Sequence, residues 1–375
     1  MKITIVLNTS WNLYNFRRGL IDALQQQGHT VTLIAPEDEY TPRLRALGYP
    51  LETVNMDRRG INPIRDMAFL WRLYRLYRTL RPDLTLHFTV KPNIYGTLAA
   101  RVLGVPSINT VSGLGTVFLK TGLVSWSAQQ LYRLAFRWPQ QVLFHNQDDH
   151  QLFVERGLVA THRASVVPGS GVDIQRFSPQ PTEPAKTFTF LVIARLLYDK
   201  GIVEYAEAAR SLRSQGLTAR FQLLGARDPQ HRRGIPEAQV DAWINEGIID
   251  YLGTTDDVRP FLQRSDVAVL PSYREGLPRT LLEAASLEKP IVTTDTPGCR
   301  HVVRHGHNGL LCRVRDAIDL ADKMQKMIEI SWEQRQQMGQ AGRTLVAERF
   351  SEKYVIDRYL LAIERTKHAR PLARS

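Results

Sequence analysis

The sequence predicts an α/β protein of two doubly wound domains, each a parallel sheet wrapped by helices, facing across a cleft. Three observations carry this. Short β-branched runs alternate with longer amphipathic ones along the chain, the alternation restarts at residue 188, and a Pro/Gly-rich stretch separates the two series. At 375 residues the chain is long enough for two domains that each close a core.

In chain order, residues 3–7 read as a buried strand and 16–27 as a helix ended by Gly28. Strands follow at 31–35, 84–88, 107–111 and 142–145, each next to a helical stretch. The second series begins with Phe188-Thr-Phe-Leu-Val-Ile-Ala194 and continues at 221–224, 249–251, 267–270 and 291–293. Between them, residues 168–184 hold four prolines and two glycines in 17 residues, the composition of a linker. The domains are therefore expected at 1–167 and 188–352, joined by 168–187. An amphipathic helix near 353–366 would cross back to the first domain, with a basic tail after it.

The net charge of +12 is unevenly spread. Residues 58–137 hold 12 Lys/Arg against Asp66 and Asp83, a net of +10, whereas 1–57 and 138–375 carry −1 and +3. A concentrated basic face attracts polyanions: nucleic acid, anionic lipid or a diphosphate. No nucleic-acid motif accompanies it, which leaves a basic nucleic-acid-binding protein as the less favoured alternative. Two cysteines, Cys299 and Cys312, make no disulfide framework and point to a reducing compartment. The apolar run after Met1 is too short for a signal peptide, and the longest uncharged run, 102–119, is broken by glycine, proline and polar residues. A cytoplasmic chain without a membrane span is expected.

The chemistry concentrates in two places. Arg195 and Lys200 follow the first strand of the second series, where open parallel sheets bind ligands, and Gly201 opens the next helix. Arginine offers phosphate a planar fork and lysine a point charge. In Glu275-Gly-Leu-Pro-Arg-Thr-Leu-Leu-Glu283, two carboxylates lie eight positions apart across a loop and a helix start. Gly276 permits close backbone approach, Pro278 suits a first helical position, and carboxylates accept hydrogen bonds from vicinal hydroxyls. Cations for a diphosphate and carboxylates for sugar hydroxyls describe a nucleotide-sugar site. Each group also has a bland reading, as a solvated loop cation or a helix-terminal carboxylate.

Taken with Lys91-Pro-Asn-Ile-Tyr-Gly96, Gly113-Leu-Gly115, Phe144-His-Asn-Gln-Asp-Asp149, Pro168-Gly-Ser-Gly-Val-Asp173 and Thr294-Asp-Thr-Pro-Gly-Cys-Arg300, these segments resemble a family. The chain looks like a GT-B glycosyltransferase of family 4, the retaining group with a Glu-x7-Glu motif. More narrowly it is similar to bacterial capsule, O-antigen and N-glycan transferases acting on polyprenyl-diphosphate-linked saccharides. The resemblance implies a UDP-sugar donor clamped by Arg195 and Lys200, with the sugar on Glu275. It also implies phosphates on the Gly276 and Leu277 amides beside Pro278, ribose on Glu283, and the base near Gly225 and the 253–257 turn. It implies front-side attack, in which the leaving phosphate takes the acceptor proton. No Asp-x-Asp occurs, consistent with metal-free neutralisation and no cofactor. Ser112 stands where many members carry histidine before the Gly-Leu-Gly, so a histidine role is in doubt, and His87 and His145 read more simply as buried structural residues. A UDP-sugar epimerase on the same fold is the alternative; no lysine set for a pyridoxal cofactor is apparent, which disfavours a phosphorylase.

On the acceptor side the candidates are Lys91, Asn93, Ser112, Gly113 and Lys120. A helix begun by Asn62-Pro63 carries Arg72, Arg75 and Arg78 beside Trp71, Tyr74 and Tyr77, and a second stretch, 126–138, adds Tyr132, Arg133, Phe136 and Arg137. Basic helices with interfacial aromatics suit an anionic membrane surface, here the inner face of the plasma membrane. The plain alternative is core aromatics with a solvated basic face.

Overall fold

A computed structural model describes residues 1–57, 62–114, 122–181, 183–184 and 186–368. The chain forms two compact units, one of Met1–Ser170 with Glu352–Ser375, the other Gly171–Ser351.

The first unit is built on seven parallel strands: β1 (Lys2–Val6), β2 (Thr30–Ala35), β3 (Leu51–Thr53), β4 (Leu84–Phe88), β5 (Ser107–Val111), β6 (Gln141–Phe144) and β7 (Ala164–Val166). Their order is β3-β2-β1-β4-β5-β6-β7. β4 and β5 are buried at every position, as expected of strands covered on both faces. The edge strands β3 and β7 have only three residues each and no apolar run, so the sequence did not announce them. The expected single helix at 16–27 is two, Ser10–Phe16 and Arg18–Gln26, broken at Arg17. The first starts early because the Thr9 hydroxyl accepts a hydrogen bond from the Asn12 amide. The helix Glu352–His368 places Val355, Tyr359, Ala362 and Ile363 in one core with Ile3, Ile5, Leu20 and Leu24.

Behind β4 and β5 lies a buried polar cluster. His87 Nε2 is 2.9 Å from the Tyr77 hydroxyl and Nδ1 is 3.2 Å from Asn109 Oδ1, while the Asn109 amide donates to Thr97 Oγ1 at 2.6 Å. Burial pushes the His87 imidazolium pKa down to about 4, because the charged form would lose its hydration. The unfolded chain then takes up this proton first. Stability is fully present above pH 6.5 and is lost as pH falls towards 4, by about 1.4 kcal/mol per unit. His145 adds to the native slope in the same direction, so urea unfolding at stepped pH should show a shallower slope in His87→Gln than in the native protein; equal slopes would contradict it.

The second unit has six parallel strands: β8 (Phe188–Ile193), β9 (Ala219–Leu224), β10 (Asp250–Tyr251), β11 (Val267–Leu270), β12 (Ile291–Thr294) and β13 (Gly309–Cys312). The order is β10-β9-β8-β11-β12-β13. Strand order therefore reverses between β8 and β11, which opens a crevice at their carboxyl ends. Both units are thus doubly wound, as the alternation predicted. The 168–187 stretch is not simply a spacer. Val172 and Phe177 are buried in the second core, the Val172 amide bonds the Phe350 carbonyl at 3.0 Å, and the Ser286 hydroxyl bonds the Phe177 carbonyl at 2.8 Å. The apolar side chains between its prolines and glycines are what fasten it.

Candidate active site

β8 delivers the chain to Ala194, whose amide bonds the Leu224 carbonyl at 3.0 Å. Leu196 and Leu197 then turn inward, and their burial anchors the 195–200 loop. A short 3-10 turn, Tyr198–Lys200, leads into Gly201 at φ 69°, and the helix Ile202–Ser214 follows. Gly201 is required twice over. Its left-handed backbone disfavours other residues, and a Cβ would run into the Pro271 carbonyl.

β11 delivers Pro271–Glu275 to the same end of the sheet. The Tyr273 amide bonds the Asp199 carbonyl at 2.9 Å and its hydroxyl bonds Glu204 at 2.6 Å, so the two loops are stitched together. Asp199 in turn holds Arg233 at 2.6 Å. The Glu275 amide bonds the Pro297 carbonyl at 3.2 Å. Gly298, at φ 84°, lets the two segments touch, since a Cβ there would stand 2.5 Å from the Glu275 carbonyl oxygen. Within this frame Lys200 and Glu275 form a half-buried ion pair. Two groups 75 residues apart thus meet at the switch point between β8 and β11.

Glu283 lies one turn into the helix Arg279–Ser286 and is buried. Burial pushes its carboxyl pKa up; Arg279, at 2.9 Å, and Arg176 hold it down, and Asp257 adds to the rise. Pro278 caps this helix rather than opening it: its φ and ψ of −74° and 113° are extended, because the chain is still arriving from the loop. Leu277 packs on the core, and Gly276 stands half-exposed beside Glu275. Gly225, at φ 153°, is pinned by its amide to the Gly253 carbonyl at 2.8 Å, while its own carbonyl accepts from the Tyr251 hydroxyl at 3.0 Å. Arg195 differs from the other candidates. Its side chain is 56% exposed and only 3.8 Å from Asp228, so it does not join the Lys200–Glu275 pair. The sequence reading gave no role to Asp199, Tyr273 or Gly298, and none to the Arg279 side chain. Only Gly298, in a Thr-Pro-Gly turn, carried a local signal.

In the first unit Lys91 pairs with Asp66, which also accepts from the Tyr95 hydroxyl at 3.1 Å. Asn93, in the π-helical turn Pro92–Gly96, is fully buried and bonds the Thr110 carbonyl at 2.8 Å. Ser112 and Gly113 are half-exposed just past β5. Lys120 and Gly115 lie outside the described residues. His87 and His145 are both buried, and burial depresses both pKa values.

The helix Pro63–Leu80 is capped by Asn62, whose side chain accepts from the Ile64 amide at 3.0 Å. Tyr77, Tyr132 and Phe136 are core residues, a correction to their reading as interfacial, because they fall on the inner helix faces. Trp71 is exposed, with Arg75 4.8 Å above its ring. Arg78 and Arg137 are exposed, Arg133 is half-buried, and Arg72 donates to the Asn55 carbonyl at 3.0 Å.

Two doubly wound parallel sheets, the second with a cation and a carboxylate gathered at its switch point, have the form of a GT-B glycosyltransferase. Comparison agrees. The family model described as glycosyl transferases group 1 matches residues 173–345, and the glycosyl transferase 4-like model matches 2–146. Over 346 residues the chain is 31% identical to N,N'-diacetylbacillosaminyl-diphospho-undecaprenol alpha-1,3-N-acetylgalactosaminyltransferase of Campylobacter jejuni, covering 88% of this chain and 90% of that one. It is 27% identical over 270 residues to UDP-Gal:alpha-D-GlcNAc-diphosphoundecaprenol alpha-1,3-galactosyltransferase of Escherichia coli, with 69% of each covered. Among solved structures, an Anabaena protein in complex with UDP superposes at a TM-score of 0.79 with 18% identity, over 97% of this chain and 100% of that one. The chain belongs to the group 1, family 4-like glycosyltransferases.

Proposed function

We propose that the chain transfers a hexosyl or N-acetylhexosaminyl unit, with retention, from a UDP-sugar to a polyprenyl-diphosphate-linked saccharide in the assembly of bacterial surface glycans. The Lys200–Glu275 pair at the switch point carries this reading. A diphosphate takes over the Lys200 ammonium, which frees Glu275 to accept from hydroxyls of the donor sugar. Arg195, exposed and weakly held, swings to the same phosphates. Charge that builds on the leaving UDP is met by these cations, without need of a metal or cofactor, and a phosphate oxygen takes the acceptor proton as the glycosidic bond forms. Glu283, paired with Arg279, receives the ribose. The relatives' names support the lipid-diphosphate acceptor and the UDP-linked donor. A screen of UDP-sugars against an undecaprenyl-diphosphate disaccharide, read as UDP release and product mass, tests the reading. UDP-sugar converted without transfer would favour the epimerase.

The acceptor's lipid places the reaction at a membrane, and one helix supports docking on its cytoplasmic face. On Pro63–Leu80, Ile64, Met67, Trp71, Arg75 and Arg78 follow the 3-4-4-3 spacing of one stripe. Its first half is apolar and 81%, 61% and 56% exposed; its second half is cationic. Such a stripe fits acyl chains at one end and anionic headgroups at the other. Replacing Ile64, Met67 and Trp71 together by glutamine should lower partitioning onto phosphatidylglycerol vesicles more than tenfold. Replacing Arg75 and Arg78 should cost about 1 kcal/mol per charge and flatten the salt dependence. Co-sedimentation reads both, and unaltered partitioning of the apolar triple variant would remove the stripe from the membrane.

A further inference from the structure

A second basic feature lies elsewhere on the first unit. A recess of about 360 Å³ opens where the helices Leu123–Ala135 and Gln147–Glu155 end. Its floor is apolar and buried: Phe136, Leu158 and Val159. Its rim carries Arg133, Arg137, His162 and Arg163. Arg133 and Arg163 of this recess are held by carbonyls rather than carboxylates, as are Arg72 and Arg335 elsewhere in the chain. In the second unit Arg195, Arg227, Arg233, Arg259 and Arg279 each face a carboxylate. Here Arg163 donates to the Pro139 carbonyl at 3.3 Å and to the Arg137 carbonyl, and its Nε donates to His162 Nε2 at 3.3 Å. Arg133 donates to Gln130 at 2.8 Å and to the Arg156 carbonyl at 3.2 Å. Both guanidiniums are thereby fixed on carbonyls near helix C-termini, where the dipole favours a cation. Among the described residues no carboxylate lies within ion-pair distance of Arg133, Arg137 or Arg163, and the Arg137 guanidinium has no partner.

A guanidinium carries five N–H donors, and these bonds leave several on Arg133 and Arg163 and all on Arg137 unused. Three guanidiniums without a carboxylate partner among the described residues thus line a small recess with a carbon floor. Arginine forks match the paired oxygens of phosphate, and the floor accepts the carbon chain of an ester. We propose that this recess binds a phosphate oxyanion of a phosphoester, with Arg137 as the primary contact and Arg133 and Arg163 as fixed flanks.

The inference deepens the membrane reading above, and the two fail differently. Loss of the Ile64–Met67–Trp71 stripe lowers vesicle partitioning without touching phosphate binding in solution, and failure of the recess leaves partitioning by the stripe intact.

Calorimetric titration of the full chain with three probes tests it: dihexanoyl-phosphatidylglycerol, dihexanoyl-phosphatidylcholine and inorganic phosphate, all below micelle-forming concentration. The phosphatidylglycerol probe should bind saturably, Arg137→Gln should weaken it at least fivefold, and Arg137→Glu should abolish it. The choline lipid should bind at least fivefold more weakly than the glycerol lipid. Inorganic phosphate binding with the same Arg137 dependence assigns a free phosphate as the source; phosphatidylglycerol binding alone assigns a lipid headgroup. Since the Arg137 guanidinium bonds no other side chain among the described residues, and its carbonyl bond to Arg163 survives substitution, neither variant should shift the thermal midpoint or the turnover of a short-chain acceptor. Binding that is indifferent to both Arg137 variants, or absent for every phosphate probe, overturns the site.

Discussion

Glu275→Ala is expected to lower kcat/KM for the UDP-sugar by about a hundredfold or more. A carboxylate that accepts two hydroxyl bonds contributes about 1.5–3 kcal/mol per charged bond, and each 1.4 kcal/mol is a factor of ten. The carboxylate is well placed for this, fixed at its amide by Pro297, closed against Gly298 and facing Lys200. A purely structural Glu275 would behave otherwise. Its removal would strand a half-buried ammonium and show as lost stability, with turnover of the remaining folded protein unchanged. Glu275→Gln separates the two: it keeps the shape, drops the charge, and should remain slow while melting near the native midpoint. Lys200→Ala should be comparably slow. The double variant should be less impaired than the product of the two, because each single change already breaks the pair. Steady-state UDP release alongside thermal melting decides this; turnover within threefold of native in a folded Glu275→Ala would end the assignment.

Gly201→Ala should be among the most damaging single-methyl changes in the second unit. A left-handed backbone costs an alanine about 1 kcal/mol. The larger cost is steric, because the new methyl meets the Pro271 carbonyl, which cannot retreat while Tyr273 is bonded to Asp199. A loss of about 3 kcal/mol or more is expected, together with weaker UDP binding, as the Lys200 and Glu275 loops are pushed apart. Gly216 supplies the control. Its φ is 81°, and a Cβ there would meet nothing within 4 Å, so Gly216→Ala should show the conformational cost alone. Urea titration with and without UDP measures both variants. Equal effects at the two glycines would mean that the close approach at Pro271 is unimportant.

Much of the fold was legible because buried parallel strands are continuous apolar runs: 188–193 and 267–270 could be read almost to the residue. What escaped has little hydrophobic signature. β3 and β7 are three residues long, and the early helix start rests on a side-chain cap at Thr9. At the site, Lys200, Glu275 and Glu283 were readable from residue type and spacing. Their neighbours were not. Asp199, Tyr273 and Gly298 act through main-chain contacts between segments far apart in sequence, and nothing near any of them in the chain hints at its partner. Arg195 shows the converse limit, since a residue may follow the right strand and still point outward.

The helix Glu352–His368 has one more consequence, for the order in which the chain matures. The second unit is complete once Ser351 has left the ribosome, yet the first, begun at Met1, still lacks the wall that Val355, Tyr359 and Ile363 provide. The first unit is thus finished only after the second. Until Glu352–His368 is made the β1 side of its interior has no cover, and truncation before Glu352 would cripple the first unit and spare the second.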